Sequence, residues 1–216
     1  MNIEFPKVDD DKIYPEITKY ILNGKFVFDI DKLLNVNKLN DHIAPNKFII
    51  ASECFLNVPD NFTDSKRTFI SGPNWMGKLV DYVPVTAMKK NWTKKEKEWL
   101  YTLTYDEKIV KIGMTSSGLS SRFASYNCGT KKAMIKGSCA TTNYVVTQCN
   151  YLALMNNMKV KIYVYEIPER WTNIEIFNNS TKVLTKVAHK YESILIEKYK
   201  NITGNIPPLC SAYGPS

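Results

Sequence analysis

Histidine is almost absent from this chain: 216 residues contain two, beside five cysteines at 54, 128, 139, 149 and 210, none forming a Cys-x-x-Cys pair. A structural zinc site needs short paired ligand spacings, so zinc is excluded as an organising centre. The odd cysteine count gives no disulfide framework, and reduced, buried thiols are expected instead. No apolar run is long enough to span a bilayer, and the opening MNIEFPKVDDDK is acidic where a secretory signal would be basic. The expectation is a soluble, cytoplasmic chain with no membrane partner. Internal repeats and low-complexity linkers are missing as well. The Ser/Gly loop near 115–120 lacks the Gly-Lys-Ser/Thr of a nucleotide-binding loop, which leaves a small-molecule phosphate enzyme with little support.

Positive charge is present in excess and unevenly spread. Residues 1–98 hold 15 Lys/Arg against 14 Asp/Glu, and residues 99–216 hold 14 against 7, so +7 of the net +8 lies in the second half. Concentrated positive charge steers and holds phosphate backbones, so a polyanionic partner is expected there.

Alternation and turn residues outline the elements. The first half offers a helix at Ile17–Leu22, an extended KFVFDI, a helix-like DKLLNVNKLNDH and the apolar run KFIIASECFL. Residues 57–90 are rich in turn formers, and Thr93-Lys-Lys-Glu96 reads as a capping box opening a short basic helix. WLYTLTY (99–105) and IVKIGM (109–114) read as a hairpin across Asp-Glu-Lys. Next come a helix with Leu119, Phe123 and Ala124 on its core face, a Lys/Gly/Ser/Thr loop over 128–142, a helix at 143–155 and a strand VKIYVYEI (160–167). A long helix is predicted over 181–202, with Leu184, Val187, Tyr191, Ile194, Leu195 and Tyr199 as its stripe, Gly204 as its stop and Pro207-Pro208 beyond. The fold class is α/β (α+β), a small central β-sheet flanked by helices, with the order β-β-α-α-β-α from residue 99.

The expected hairpin places Tyr105 opposite Ile109, Leu103 opposite Lys111 and Tyr101 opposite Gly113. Tyr101 and Lys111 then share one face as diagonal neighbours, with Val110, Ile112 and Met114 on the other. Arg122 and Tyr126, four apart, share one helix face. Glu192 borders the apolar stripe of the last helix, beside Ala188, Ile196 and Tyr199. Singly, each has an ordinary role: a strand lysine is usually a solvated edge residue, and a helical Arg or Glu a surface charge. Together they bring Tyr, Lys, Arg, Tyr and Glu from three elements of the basic half.

Leu100-Tyr101 and Lys111-Ile112-Gly113, ten residues apart and followed by Arg122, resemble the core of the GIY-YIG nucleases. Trp99 stands where that pattern has its first glycine, and Lys111 where it has its second tyrosine. Such a lysine is found in the branch holding the Hpy188I-like restriction enzymes and some phage relatives; the Eco29kI-like enzymes are also similar. The resemblance covers roughly residues 99–208 and leaves 1–98 unexplained. It implies a nuclease domain over 99–216 and an N-terminal extension over 1–98 serving DNA recognition or dimerisation.

By this resemblance Glu192 is the metal ligand, for Mg²⁺ (or Mn²⁺), which takes oxygen donors and keeps several waters. Arg122 and Lys111 stabilise phosphate charge, and Asn205 matches the asparagine often found after the last helix. Tyr101 orients or deprotonates the water, with Tyr126 as the alternative. A tyrosine near pKa ~10 needs neighbouring cations to serve as a base. Lys131, Lys132 and Lys136 are expected to contact DNA. The expected partner is double-stranded DNA, cut by a homodimer of the restriction type, since no linker or appended module suggests a homing enzyme. A degenerate nucleic-acid-binding module is the other class, kept open by Trp99.

Overall fold

The computed structural model describes residues 48–57, 80–127 and 140–210. The expected elements before residue 47, most of the 128–142 loop and the three lysines Lys131, Lys132 and Lys136 lie outside the described residues.

The elements run β1 (Ile49–Leu56), β2 (Val80–Pro84), a 3-10 turn (Thr86–Met88) into the short α1 (Lys89–Trp92), β3 (Trp99–Tyr105), β4 (Lys108–Thr115), α2 (Leu119–Asn127), α3 (Thr141–Met155) and β5 (Val160–Glu166). A hairpin β6 (Trp171–Ile176) and β7 (Asn179–Leu184) precedes α4 (Ala188–Thr203) and a last 3-10 turn (Pro208–Cys210). Five strands form one sheet in the order β2-β1-β5-β3-β4, every neighbouring pair antiparallel. The fold is thus α/β with a five-stranded antiparallel sheet. Strands from both sides of residue 98 share this sheet, since β1 pairs with β5.

Helices cover both faces, which is why all seven residues of β3 are buried. On one face Trp99, Tyr101, Leu103 and Tyr105 pack with Leu119, Phe123 and Tyr126 of α2 and with Val146, Cys149 and Ala153 of α3. On the other, Leu100, Ile109 and Ile112 pack against Ala188, Tyr191, Leu195, Ile196 and Tyr199 of α4. Each buried Leu, Ile, Val or Phe among them contributes roughly 1.5–3 kcal/mol. Gly204 ends α4 at φ +80°, its N–H donating to the Lys200 carbonyl, as expected from the sequence. Cys54, Cys149 and Cys210 are free and buried, also as expected. Among the described residues no helix is long and apolar enough to cross a membrane.

Four local expectations are corrected. The predicted helix over 181–202 starts only at Ala188; residues 181–184 are strand, because β-branched Thr181 and Val183 pair with Ile174 and Thr172 in a hairpin. Thr93–Glu96 forms turn and bend after α1 rather than a helix, and the Lys94 carbonyl backs closely onto Gly118. On α2 the core face is Leu119, Phe123 and Tyr126, while Ala124 is exposed. The first hairpin turns on two residues, Asp106 and Glu107, both at positive φ, so Tyr105 faces Lys108 and Thr104 faces Ile109. A bulge at Leu103/Thr104 then restores the expected pairs Leu103–Lys111 and Tyr101–Gly113 and turns Val110 toward the Tyr101 side.

Candidate active site

β3, β4 and α2 bring three of the expected residues into direct contact. Tyr101 crosses β4 at Gly113, and the approach needs a glycine: a Cβ there would lie 2.3 Å from the Tyr101 ring carbon Cζ and hydroxyl oxygen. The turn after β4 is tied by Thr115, whose hydroxyl donates to the Gly118 carbonyl at 3.2 Å. From there α2 directs Arg122 and Tyr126 back over the Tyr101 ring. Arg122 Nε donates to the Tyr101 hydroxyl at 3.0 Å, and a terminal nitrogen donates to the Tyr126 hydroxyl at 3.2 Å. The two hydroxyls are hydrogen-bonded to each other. The guanidinium also lies 4.7 Å from the centre of the Tyr126 ring. Phe123 meets Tyr101 edge-on, with ring centroids 5.1 Å apart.

Burial sets the electrostatics. Both tyrosines are fully buried, and Arg122 is half-buried, the member of the trio that solvent reaches. Desolvation pushes the Tyr126 hydroxyl well above its ordinary range, and the attraction of Arg122 does not offset it. The expectation that cations make a tyrosine acidic therefore fails at Tyr126, which keeps its proton. Burial disfavours the Arg122 charge, but Tyr101 and Tyr126 outweigh it and hold the guanidinium more firmly protonated than usual.

Lys111 is buried on the same sheet face, and its ammonium donates to the Leu209 carbonyl at 2.8 Å. The 3-10 turn Pro208–Cys210 lies along β4, the edge strand, where the Cys210 thiol exchanges hydrogen bonds with the Ile112 backbone. Glu192 is half-buried on α4, which packs on the opposite face of the sheet. Both charges act on the Cys210 thiol, Lys111 lowering and Glu192 raising its pKa beneath the larger effect of burial. Asn205 sits exposed just past Gly204, its backbone N–H held by the Thr203 hydroxyl at 3.2 Å, and no hydrogen bond joins its side chain to the tyrosine–arginine trio.

Sequence reasoning missed the layer behind the trio. Tyr105 donates to Asn150 Oδ1 at 2.7 Å, and Asn150 Nδ2 donates to the Tyr82 hydroxyl at 2.9 Å, with Asn150 fully buried. The Tyr82 ring sits 5.3 Å from Phe123 and so backs the helix that carries Arg122. Asn127 hydrogen-bonds both the Val80 carbonyl and its N–H, fastening the end of α2 to β2. A buried tyrosine or asparagine has no sequence signature apart from ordinary core, although the period-2 run VDYVP is strand-like.

These buried groups make the protein sensitive to base. Tyr82, Tyr105 and Tyr126 are raised above their ordinary 10.0, and Cys54 and Cys149 above their ordinary 9.0, all chiefly by desolvation. A raised folded-state pKa gives stability that is complete below the unfolded value and lost as pH climbs toward the folded one. Stability is therefore expected to hold up to about pH 9 and to fall progressively above it, steepening past about pH 10 as the tyrosines join. Urea midpoints measured from pH 7 to 11 check this, and a flat profile would contradict the burial of these hydroxyls.

No protein-family model matches the chain, and no curated protein matches it. Among solved structures it is similar to the restriction endonuclease HPY188I in complex with product DNA, with a TM-score of 0.45 and 22% identity over 86% of this chain and 91% of that one. It is also similar to a mutant of EndoII from bacteriophage T4, with a TM-score of 0.41 and 16% identity over 71% of this chain and 87% of that one.

Proposed function

We propose that this chain is a Mg²⁺-dependent (or Mn²⁺-dependent) DNA endonuclease that hydrolyses phosphodiester bonds, sequence-specific and of the restriction type. The observation that carries the reading is the Arg122 fork on the two tyrosine hydroxyls, with Lys111 buried on the same sheet face. Phosphoryl transfer needs cations where charge develops and a group to orient the water, and on this reading Arg122 and Lys111 are the cations and a tyrosine hydroxyl the orienting group. Arg122, the solvent-reached member, meets the phosphate. Lys111 is held in place by the Leu209 carbonyl and adds a second positive charge at the edge of β4.

Either hydroxyl can donate in the bond between the two tyrosines; on this reading it is Tyr126, which keeps its proton, that donates to the Tyr101 oxygen. Tyr101 then receives two donors, Arg122 Nε–H and Tyr126 O–H, and is the better placed of the two to orient the water or accept its proton. Among the described residues no group of three or more His, Cys, Asp or Glu gathers into a metal site. A lone half-buried carboxylate, Glu192, still fits Mg²⁺, which is commonly bound through one or two carboxylates with water and substrate phosphate filling its octahedron. When bound, the ion supplies charge neutralisation at the phosphoryl oxygens.

Complete burial of Tyr101 and Tyr126 favours a second reading, a module of the same fold that binds nucleic acid without cutting it. Plasmid cleavage with Mg²⁺ separates the two. The nuclease reading expects nicking or linearisation by the wild-type chain, lost in Tyr101→Phe and on adding EDTA. Binding without any cleavage across a broad set of sequences leaves the second reading standing.

A further inference from the structure

The hairpin β6–β7 forms its own two-stranded sheet, separate from the main one, and every residue of both strands is exposed except half-buried Leu184. An isolated two-stranded hairpin is at best marginally stable in water, so a surface that covers it would complete it. Its register sorts the side chains. One face carries the pairs Thr172–Val183, Ile174–Thr181 and Ile176–Asn179, with no charged residue. Lys182 and Glu175 lie on the other face, where the Lys182 ammonium sits 5.6 Å from the centre of the Trp171 ring. At the tip Phe177 is 94% exposed at φ +49°. Asn-Gly is the usual choice for such a turn, and a bulky residue in the left-handed region is strained. Here a phenylalanine is held in that conformation with its ring in solvent.

We infer that this hairpin is a self-association surface, its charge-free face packing on the same face of a second copy of the chain. Charge selects the occupant. The fourteen residues Trp171–Leu184 hold one Lys and one Glu, net zero, on a chain of net charge +8. A polyanion gains nothing from a face without cations, whereas two +8 chains meet with less repulsion through a neutral face of this kind. A two-fold contact is also self-complementary: Ile174, Ile176 and Val183 meet their own copies. Phe177 at the tip, with Ile174 (39% exposed), Ile176 (44%) and Val183 (36%) on the neutral face, together expose on the order of 400 Å², about half of the ~800 Å² per partner of a standard interface. Pairing two copies also gives duplex DNA one candidate site per strand; that last argument rests on the nuclease reading, and the others do not.

Sedimentation equilibrium of the full chain tests the surface independently of cleavage. At micromolar concentration the wild type is expected at twice its 24.8 kDa. Ile174→Glu with Ile176→Glu puts carboxylates on the neutral face and is expected to return the chain to monomer. Since that pair could unfold the hairpin, Phe177→Gly forms a second arm. Glycine suits the left-handed backbone and keeps both strands, while losing the tip is expected to weaken dimerisation on the order of tenfold. A wild type monomeric at about 50 µM overturns the proposal, as does a dimer indifferent to both variants. So do variants that lose duplex-DNA binding with no change in mass, which would make the hairpin a DNA arm. Glu192→Ala is expected to remain dimeric. A dimer that cuts no DNA supports the surface while the nuclease reading fails, and a monomeric nuclease does the reverse.

Discussion

Arg122→Ala is expected to lower DNA cleavage by about 10³-fold or more while weakening DNA binding by less than about tenfold, a loss carried by kcat. Among the described residues the guanidinium alone is shown to donate to both tyrosine hydroxyls, and it is the member of the trio open to an incoming phosphate. Its removal takes away the cation and the fork that sets both oxygens. The tyrosines would still bond each other, so the fold should survive with a modest drop in melting temperature. Arg122→Lys is the sharper comparison. Lysine keeps the charge on a single point and cannot reproduce the planar fork, so a loss of about 10²-fold or more is expected. Near-normal cleavage by the lysine variant would mean that charge alone matters and that the paired tyrosines are structural. Single-turnover cleavage rates, with DNA binding measured separately in Ca²⁺, distinguish these outcomes.

Gly113→Ala comes second in expected effect. Its new methyl would fall 2.3 Å from the end of the Tyr101 ring. A flexible side chain would swing away, but this ring is held by Arg122, by Tyr126 and by the edge contact with Phe123. Overpacking of this kind costs about 1–3 kcal/mol, and moving the Tyr101 oxygen off its two donors should reduce cleavage by about 10²-fold or more. The cause is testable through coupling: in a Tyr101→Ala background the added methyl has nothing to strike, and the destabilisation should shrink to a few tenths of a kcal/mol. Additive urea midpoints in the double variant would show that the cost lies in the backbone instead.

The facing of Tyr101 and Gly113 was legible from alternation even though the turn was not. The expected three-residue loop is in fact two residues, Asp106 and Glu107, and the bulge at Leu103/Thr104 absorbs the difference. Two opposite one-residue offsets cancel, leaving Lys111 on the Tyr101 face while Val110 moves to that face and Ile109 to the other. The Arg122–Tyr126 pair was equally accessible, because a spacing of four on one helix needs no knowledge of the rest of the chain. Glu192's element was legible too, but not its beginning. Leu184 and Val187 continue the helical period of α4 by coincidence, and the Phe177-Asn178 turn lacks the glycine that usually marks a hairpin. What stayed hidden was long-range. The Leu209 carbonyl under Lys111 is 98 residues away, and Tyr82 meets Asn150 across 68. No local pattern encodes such contacts; they follow from how the edge strand and the helices close around the sheet.

The central claim is that the trio, Lys111 and Glu192 hydrolyse DNA together with a divalent ion. Supercoiled plasmid incubated with the wild-type chain and with Glu192→Ala, each with Mg²⁺ and with EDTA, tests it most directly. The expected result is Mg²⁺-dependent conversion to nicked and linear DNA by the wild type, with Glu192→Ala slower by about 10³-fold or more. Cleavage by Glu192→Ala at the wild-type rate, or by the wild type in EDTA, would contradict the account.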